Sequence, residues 1–485
     1  MQIAERSCDI ACFWSVSKMH ASDFDPLNCR CPQAPYSDRI FAEATFHFER
    51  RAFLAGALAA GAAMLLPWRA RAASATTVIH AAHLFDGHEM KTPGVLVVRD
   101  DRILSMNAGD AGSDAQVIDL AGMTLLPGLI DAHTHVAVRV VVSSYMLGMS
   151  PKGQAADNVG EAAIYSVRNA QTMLKNGFTT IRDVGGGHGI DLALRNAVNN
   201  GMIAGPRILA ASTSLSITGG HGDTNDLPET VRVEEDIEPG ISYGPYGFRQ
   251  RVREHVKRHV DVIKILGTGG VLSYGDVWDV PQFNLDEVQA VVDESTKFNR
   301  KVAAHCHGDK GIAIAVEGGV HSVEHCTGVS EKTLKMMEQR GTHLVPTIWA
   351  LDSILQSGNP NRISAQSIAK AELAVQLRNE GMQRAIASRA KISYGTDAGV
   401  FPHKENNKDF ALLVGMGMRP LDVLRAATGN AADLLGTGDR GRLAAGKLAD
   451  VIAVRGNPES TIEALEKPAF VMLGGKRIDT AALPS

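Results

Sequence analysis

The sequence predicts a mixed α/β protein: a (β/α)8 barrel of the TIM type carrying a small β-sandwich module built from both chain ends. Three observations predict it. The central region alternates short apolar runs with helix-period segments, which argues for βα units and a parallel sheet. Eight such runs can be placed, enough to close a barrel. Gly/Asp/His clusters follow the runs, as in Gly185-Gly186-Gly187-His188, Gly219-Gly220-His221-Gly222 and Gly267-Thr268-Gly269-Gly270. In such barrels the loops at the carboxyl ends of the strands are where chemistry is assembled.

The predicted barrel strands are Leu129 to His135, Thr179 to Val184, Arg207 to Ala211, Val262 to Leu266, Lys301 to His307, Ser322 to His325, His343 to Thr347 and Lys391 to Thr396. On both sides of this region lie short β-rich runs with Gly and Asp turns. They are Thr77 to Ala81, Gly94 to Arg99, Arg102 to Met106, Gln116 to Leu120 and Met123 to Leu126 before it, and Asp450 to Val454 and Ala469 to Leu473 after it. Two flanking β segments around one long central region suggest a single module. The expected division is therefore a module of residues 76–130 and 437–485 and a barrel of residues 131–436. No internal repeat or long low-complexity tract stands out.

Upstream, Glu49-Arg50-Arg51-Ala52-Phe53-Leu54 resembles a twin-arginine signal and opens an apolar stretch that runs to Pro67. The stretch is too short and too rich in Ala and Gly for a comfortable membrane span, which needs roughly 20 apolar residues. Ala70-Arg71-Ala72 and Ala73-Ser74-Ala75 offer small-residue cleavage sites. Residues 46–75 are thus expected to be an export signal leading to the periplasm, with an N-terminal membrane anchor or a chance Arg pair as the alternatives. A signal starting this far in is unusual, so residues 1–45 are expected to be a disordered leader or a misassigned start.

Of 485 residues, 21% are charged and 45% hydrophobic, with 48 glycines, a profile of folded α/β protein with many tight turns. The formal net charge is -4 and no basic run interleaved with aromatics appears, so a nucleic-acid partner is not expected and a small-molecule substrate is. No disulfide framework can be read from the six cysteines: Cys8, Cys12, Cys29 and Cys31 lie in the leader, Cys306 and Cys326 deep in the body. Each inner cysteine follows a candidate metal-ligating histidine, so strand alternation should turn it away from the metal.

The residues that carry chemistry sit at strand ends. Asp131-Ala132-His133-Thr134-His135 closes the first barrel strand, and alternation sends His133 and His135 to one face, where two imidazoles can grip one ion. An H-x-H pair can also be a satisfied packing pair. His305, His325 and Asp397 recur at the ends of three later strands, so five nitrogen or oxygen donors converge on one rim. Zinc accepts both donor types, and a catalytic site leaves a position open for water. Two dications held close need an anionic bridge, and Lys264 in Val262-Ile263-Lys264-Ile265-Leu266 is the candidate. A lysine inside an apolar strand is costly to bury charged. Burial and nearby metal charge favour the neutral amine, which can take up carbon dioxide as a carbamate. The alternatives are snorkelling to the rim or pairing with a carboxylate.

Together with Pro127-Gly128-Leu129-Ile130, Gly177-Phe178-Thr179-Thr180-Ile181-Arg182-Asp183, Gly219-Gly220-His221-Gly222 and Gly395-Thr396-Asp397-Ala398-Gly399, these residues resemble the amidohydrolase superfamily over about residues 76 to 480. The branch it resembles contains imidazolonepropionase-like proteins, bacterial Xaa-Pro dipeptidases and ochratoxinase. The resemblance implies a binuclear zinc centre, with His133, His135, carboxylated Lys264 and Asp397 around the more buried ion and Lys264, His305 and His325 around the other. It also implies a homo-oligomer. True imidazolonepropionases hold one metal and lack the bridging lysine, so Lys264 favours the dipeptidase and ochratoxinase side.

The expected reaction is hydrolysis of an amide or peptide bond in dipeptides or N-acyl amino acids, ochratoxin A included. Water between two ions is deprotonated near neutral pH and attacks the carbonyl. Asp397 takes up the proton and delivers it to the leaving nitrogen, acting as ligand and acid/base at once. His221, Arg182, Tyr274 and His307 are candidate substrate contacts. Arg182 can equally pair with a barrel carboxylate, and Tyr274 can equally be a packing residue. Rival readings are hydrolysis of a lactam, lactone or cyclic ureide on the same metals, and a non-catalytic scaffold barrel, which missing ligands would mark.

Overall fold

A computed structural model describes residues 76–137, 159–223, 225, 240–357 and 363–484. The leader and the signal-like segment lie outside them. No helix among the described residues is long and apolar enough to cross a membrane.

Eight parallel strands alternate with helices along the chain. Leu129–Thr134, Phe178–Asp183 and Arg207–Ala210 pair in that order, as do Val262–Leu266, Lys301–Cys306, Ser322–His325, His343–Val345 and Lys391–Ile392. Hydrogen bonds cross both gaps between the two sheets. On one side Asp261 N donates to Ala210 O at 2.8 Å and Leu266 N to Leu215 O at 2.9 Å; on the other, His135 N donates to Ala398 O at 2.8 Å and Ala132 N to Tyr394 O at 2.9 Å. The strands thus run in a circuit in chain order.

Helices such as Val159–Lys175, Leu285–Lys297 and Asp309–Gly318 connect successive strands, because parallel pairing requires a crossover. The long helix Ala365–Ala387 begins at Ser364, whose side chain accepts from Ser367 N and satisfies one of the free amides of the first turn. Strands covered on both faces lose the alternating pattern: every residue of Leu129–Thr134, Phe178–Asp183 and Val262–Leu266 is buried. Leu129, Ile181, Ile263, Ile265, Val302 and Val323 pack in the main apolar core. The same strands carry Asp131, His133, Arg182, Lys264 and Glu324, all buried, and such groups persist in a core only when bonded to one another or to a ligand.

Strands on both sides of the parallel region form one mixed sheet. Gln116–Pro127 lies at its centre, parallel to Thr76–Phe85 and antiparallel to Val451–Arg455, with Phe470–Leu473 beyond. Leu84, Leu96, Leu125, Val451 and Phe470 form its own apolar core. Seven strands of this sheet follow one hydrogen-bonded path, and Met90–Lys91 pairs with Thr76–Phe85 off that path. Only Gly128 separates its central strand from the first parallel strand. A Cβ there would lie 2.1 Å from Thr179 Oγ1, and Gly128 N donates to Asp450 O at 2.8 Å. The hinge between the two sheets therefore has room for glycine alone.

The expected strands Lys301 to His307, His343 to Thr347 and Lys391 to Thr396 end sooner, at Cys306, Val345 and Ile392. Left-handed backbone follows two of them, two and five residues beyond the last paired position. Thr347 has φ +48° and Asp397 φ +64°.

Candidate metal centre

Two donor groups lie at the carboxyl ends of the parallel strands. His133, His135 and Asp397 bring their ligand atoms within 4.8 Å of one another, and so do His305, His307 and His325. In the first group Asp397 Oδ1 is 3.0 Å from His135 Nε2 and 3.4 Å from His133 Nε2. The groups adjoin, since the His133 and His325 rings are 5.1 Å apart between centroids and the His305 and His325 rings 4.6 Å.

Each imidazole is held by its far nitrogen. Nδ1 of His133 meets Glu324 Oε2 at 2.7 Å, that of His135 meets Gly185 O at 3.0 Å, that of His307 meets Thr327 Oγ1 at 2.8 Å and that of His325 meets Thr347 Oγ1 at 2.7 Å. His305 is inverted: its Nε2 meets Gly269 O at 3.0 Å. Fixing one nitrogen fixes the ring and turns the other toward the site, and where the partner is a carbonyl or carboxylate the tautomer is fixed as well, the arrangement metal-binding histidines use. Burial, with neighbouring imidazoles, holds His305 and His325 well below the usual histidine range, and burial brings His307 down to about 3. All three are neutral at physiological pH. Burial raises the Asp397 carboxyl, but His133 and His135 outweigh it and keep Asp397 ionised. The donor set, imidazole nitrogens with one carboxylate, fits divalent metal ions.

Lys264 is 2% exposed, and burial lowers its pKa to about 8. Its charge acts on Asp397 of the first group and on His305, His307 and His325 of the second. The structure therefore brings His133, His135, His305, His325 and Asp397 into two adjoining groups, with Lys264 buried on the strand beside that of His305.

Supporting carboxylates escaped the sequence reading. Glu324, fully buried, spans three strands: it holds His133, accepts from Arg182 Nη2 at 2.9 Å and accepts from Ser322 Oγ at 2.5 Å. Asp131 accepts from Thr396 Oγ1 at 2.7 Å and from His133 N at 3.1 Å, tying the first strand to the last so that His133 and Asp397 meet.

The four candidate substrate contacts separate. Arg182 is 1% exposed and spends its guanidinium on Ala132 O, Ser322 and Glu324, so it takes the carboxylate-pairing alternative and does not reach for a substrate. Tyr274 is 60% exposed on the loop after Leu266. His221 packs its ring against His305 at a tilt of 30°, with centroids 4.5 Å apart, and its Nδ1 has no partner among the described residues. His307 joins the second donor group, a role the sequence signalled through a second H-x-H, His305-Cys306-His307, at a strand end. Cys306 packs into the apolar core, turned from the rim as alternation predicts.

A mixed α/β fold with two donor groups at the carboxyl ends of its parallel strands defines the class: a protein shaped to hold divalent ions where its loops gather. The chain belongs to the amidohydrolase family, whose profile matches residues 124–478. Ochratoxinase of Aspergillus niger is 30% identical over 425 residues, covering 82% of this chain and 86% of that protein. An imidazolonepropionase of Desulfotalea psychrophila is 22% identical over 412 residues, covering 79% and 88%. The crystal structure of a Xaa-Pro dipeptidase with methionine bound in its active site superposes with a TM-score of 0.76 at 34% identity, covering 83% of this chain and 100% of that one. The chain is thus a hydrolase with a TIM-barrel-type fold.

Proposed function

We propose that this protein is a binuclear metal-dependent hydrolase of C–N bonds, cleaving dipeptides or N-acyl amino acids in the manner of a Xaa-Pro dipeptidase or of ochratoxinase, ochratoxin A included. The observation that carries the reading is the pair of adjoining donor groups with buried Lys264 acting on both. The likeness to ochratoxinase and to the Xaa-Pro dipeptidase supports an amide substrate. In this reading the strand circuit is a closed (β/α)8 barrel and the terminal sheet is its β-sandwich module.

His133, His135 and Asp397 would hold one ion, and His305 and His325 the other, with His307 beside them; Lys264, as a carbamate, would be the shared anionic ligand. Bound divalent ions, zinc in our reading, supply Lewis acidity and lower the pKa of water. Asp397, kept ionised by its two histidines, accepts a proton during attack and returns it to the leaving nitrogen. His221, brought by burial to about 4, is a neutral imidazole whose buried Nδ1 has no partner among the described residues. We also read the chain as exported by its twin-arginine-like segment, Glu49 to Leu54, and as a homo-oligomer.

A panel of Xaa-Pro dipeptides, N-acyl-phenylalanines and lactones, assayed with and without chelator, tests the reading. Turnover of the first two, lost on chelation and restored by zinc, is expected. Turnover of lactones alone, or activity indifferent to chelation, overturns it.

A further inference from the structure

The loop that follows Val262–Leu266 touches the second donor group at several points. Gly269 O is the partner of His305 Nε2 at 3.0 Å. Gly270 lies under the His221 ring, where a Cβ would come within 2.1 Å of Cε1. Trp278, 7% exposed, sets its ring against His307, with centroids 5.5 Å apart. The loop folds back on itself through Gly269 N to Val280 O at 3.2 Å.

What fastens this loop is a buried ion pair. Lys370, on the helix Ala365–Ala387 and 8% exposed, donates to Gly270 O at 3.1 Å, Ser273 O at 3.0 Å and Asp276 Oδ1 at 2.9 Å. An ammonium has three protons, so all three are used. Asp276 completes the knot: it accepts from Ser273 Oγ at 2.6 Å, Gly270 N at 2.9 Å and Gln282 Nε2 at 3.4 Å, and Gln282 Oε1 in turn accepts from His221 N at 2.9 Å. Burying two charges is costly and is tolerated when each is fully bonded, as here. Every bond of Lys370 goes to the loop and none to the metal residues.

We propose that Lys370 is a positioning residue which, through Asp276, fixes the loop of residues 269–278 and thereby the orientation of His305 and His307, so that it sets the affinity of the second metal site and leaves the first unchanged. The selectivity follows from topology. The loop contacts His305 and His307, whereas His133, His135 and Asp397 are held by Glu324, Gly185 and the strand ends. This inference rests on the two-site reading above.

The test compares the full chain with Lys370→Met, which keeps the stem and removes the charge, and Asp276→Asn, which keeps the volume. Zinc binding is followed by chelator competition, and hydrogen exchange is measured over residues 268–281. Both variants are expected to bind the first equivalent as the wild type does, to bind the second about 10- to 100-fold more weakly, and to lose amide protection in the loop. Unchanged second-site affinity with a lowered melting temperature overturns the proposal and leaves Lys370 a stability residue. Equal weakening at both sites overturns it as well. If the wild type binds a single equivalent, the two-site reading fails; loop protection then decides the clamp alone, retained protection in Lys370→Met overturning it.

Discussion

Glu324 and His325, neighbours in sequence, serve different donor groups: Glu324 Oε2 holds His133 Nδ1 at 2.7 Å, while His325 is itself a donor of the second group. Adjacent residues of a regular strand point to opposite faces. Here φ of +66° at His325 breaks the alternation and turns both side chains inward. A left-handed non-glycine residue costs of order 1 kcal/mol or more, strain typical of positions the surrounding structure over-determines. One strand end thereby couples the two groups.

Glu324→Gln is expected to weaken the first site, because His133 loses its charged anchor. Loss of a partner of this kind lowers metal affinity roughly 10- to 100-fold, readable by chelator competition. Arg182 is left buried without its carboxylate, so denaturant unfolding should report a loss of about 3–5 kcal/mol. Unaltered affinity would show that Glu324 braces Arg182 only.

Asp397→Asn removes the proton carrier and keeps the shape of the site. Turnover should fall by roughly 10²-fold or more while zinc content remains near that of the wild type. Full activity with intact metal would contradict the assigned role.

Lys264 should carry the mass of one added carbon dioxide in intact-protein spectra recorded at neutral pH, and Lys264→Met should not. Depleting bicarbonate from the metal-free protein before adding zinc should lower the activity recovered. Equal recovery with and without bicarbonate would argue for an unmodified lysine.

Away from the site, Arg253 and Lys297 hold the Glu294 carboxyl at about 2, against an ordinary value of 4.5. A depressed folded-state pKa means stability present above pH 4.5 and lost as pH falls toward 2. Glu294→Gln should therefore flatten the acid limb of stability between those values and leave neutral metal binding intact. An unchanged acid limb would show that solvent screens the cluster fully.

Much of the site was legible because strand alternation is a strong constraint. His133 and His135 two residues apart at a strand end read directly as a pair, and Lys264 inside an apolar run read as anomalous. Alternation also hid what it could not describe. Glu324 was invisible beside His325, since only the positive φ allows both to face inward. Arg182 was legible as a buried charge, but its choice between substrate and carboxylate depended on a contact with residue 324, far along the chain. The clamp on the loop of residues 269–278 was unreadable for the same reason, as Lys370 and Asp276 meet only in three dimensions. For the fold, the eight strands were visible as apolar runs, whereas ends such as Cys306, Val345 and Ile392 depended on pairing with neighbouring strands far along the chain.

The strand Val451–Arg455 flanks Met123–Pro127, and Asp450 O receives the Gly128 amide just ahead of the segment that bears His133 and His135. A stop codon placed after residue 436 would spare every donor named here and still remove that brace. Such a truncation should therefore weaken metal binding although every donor is retained.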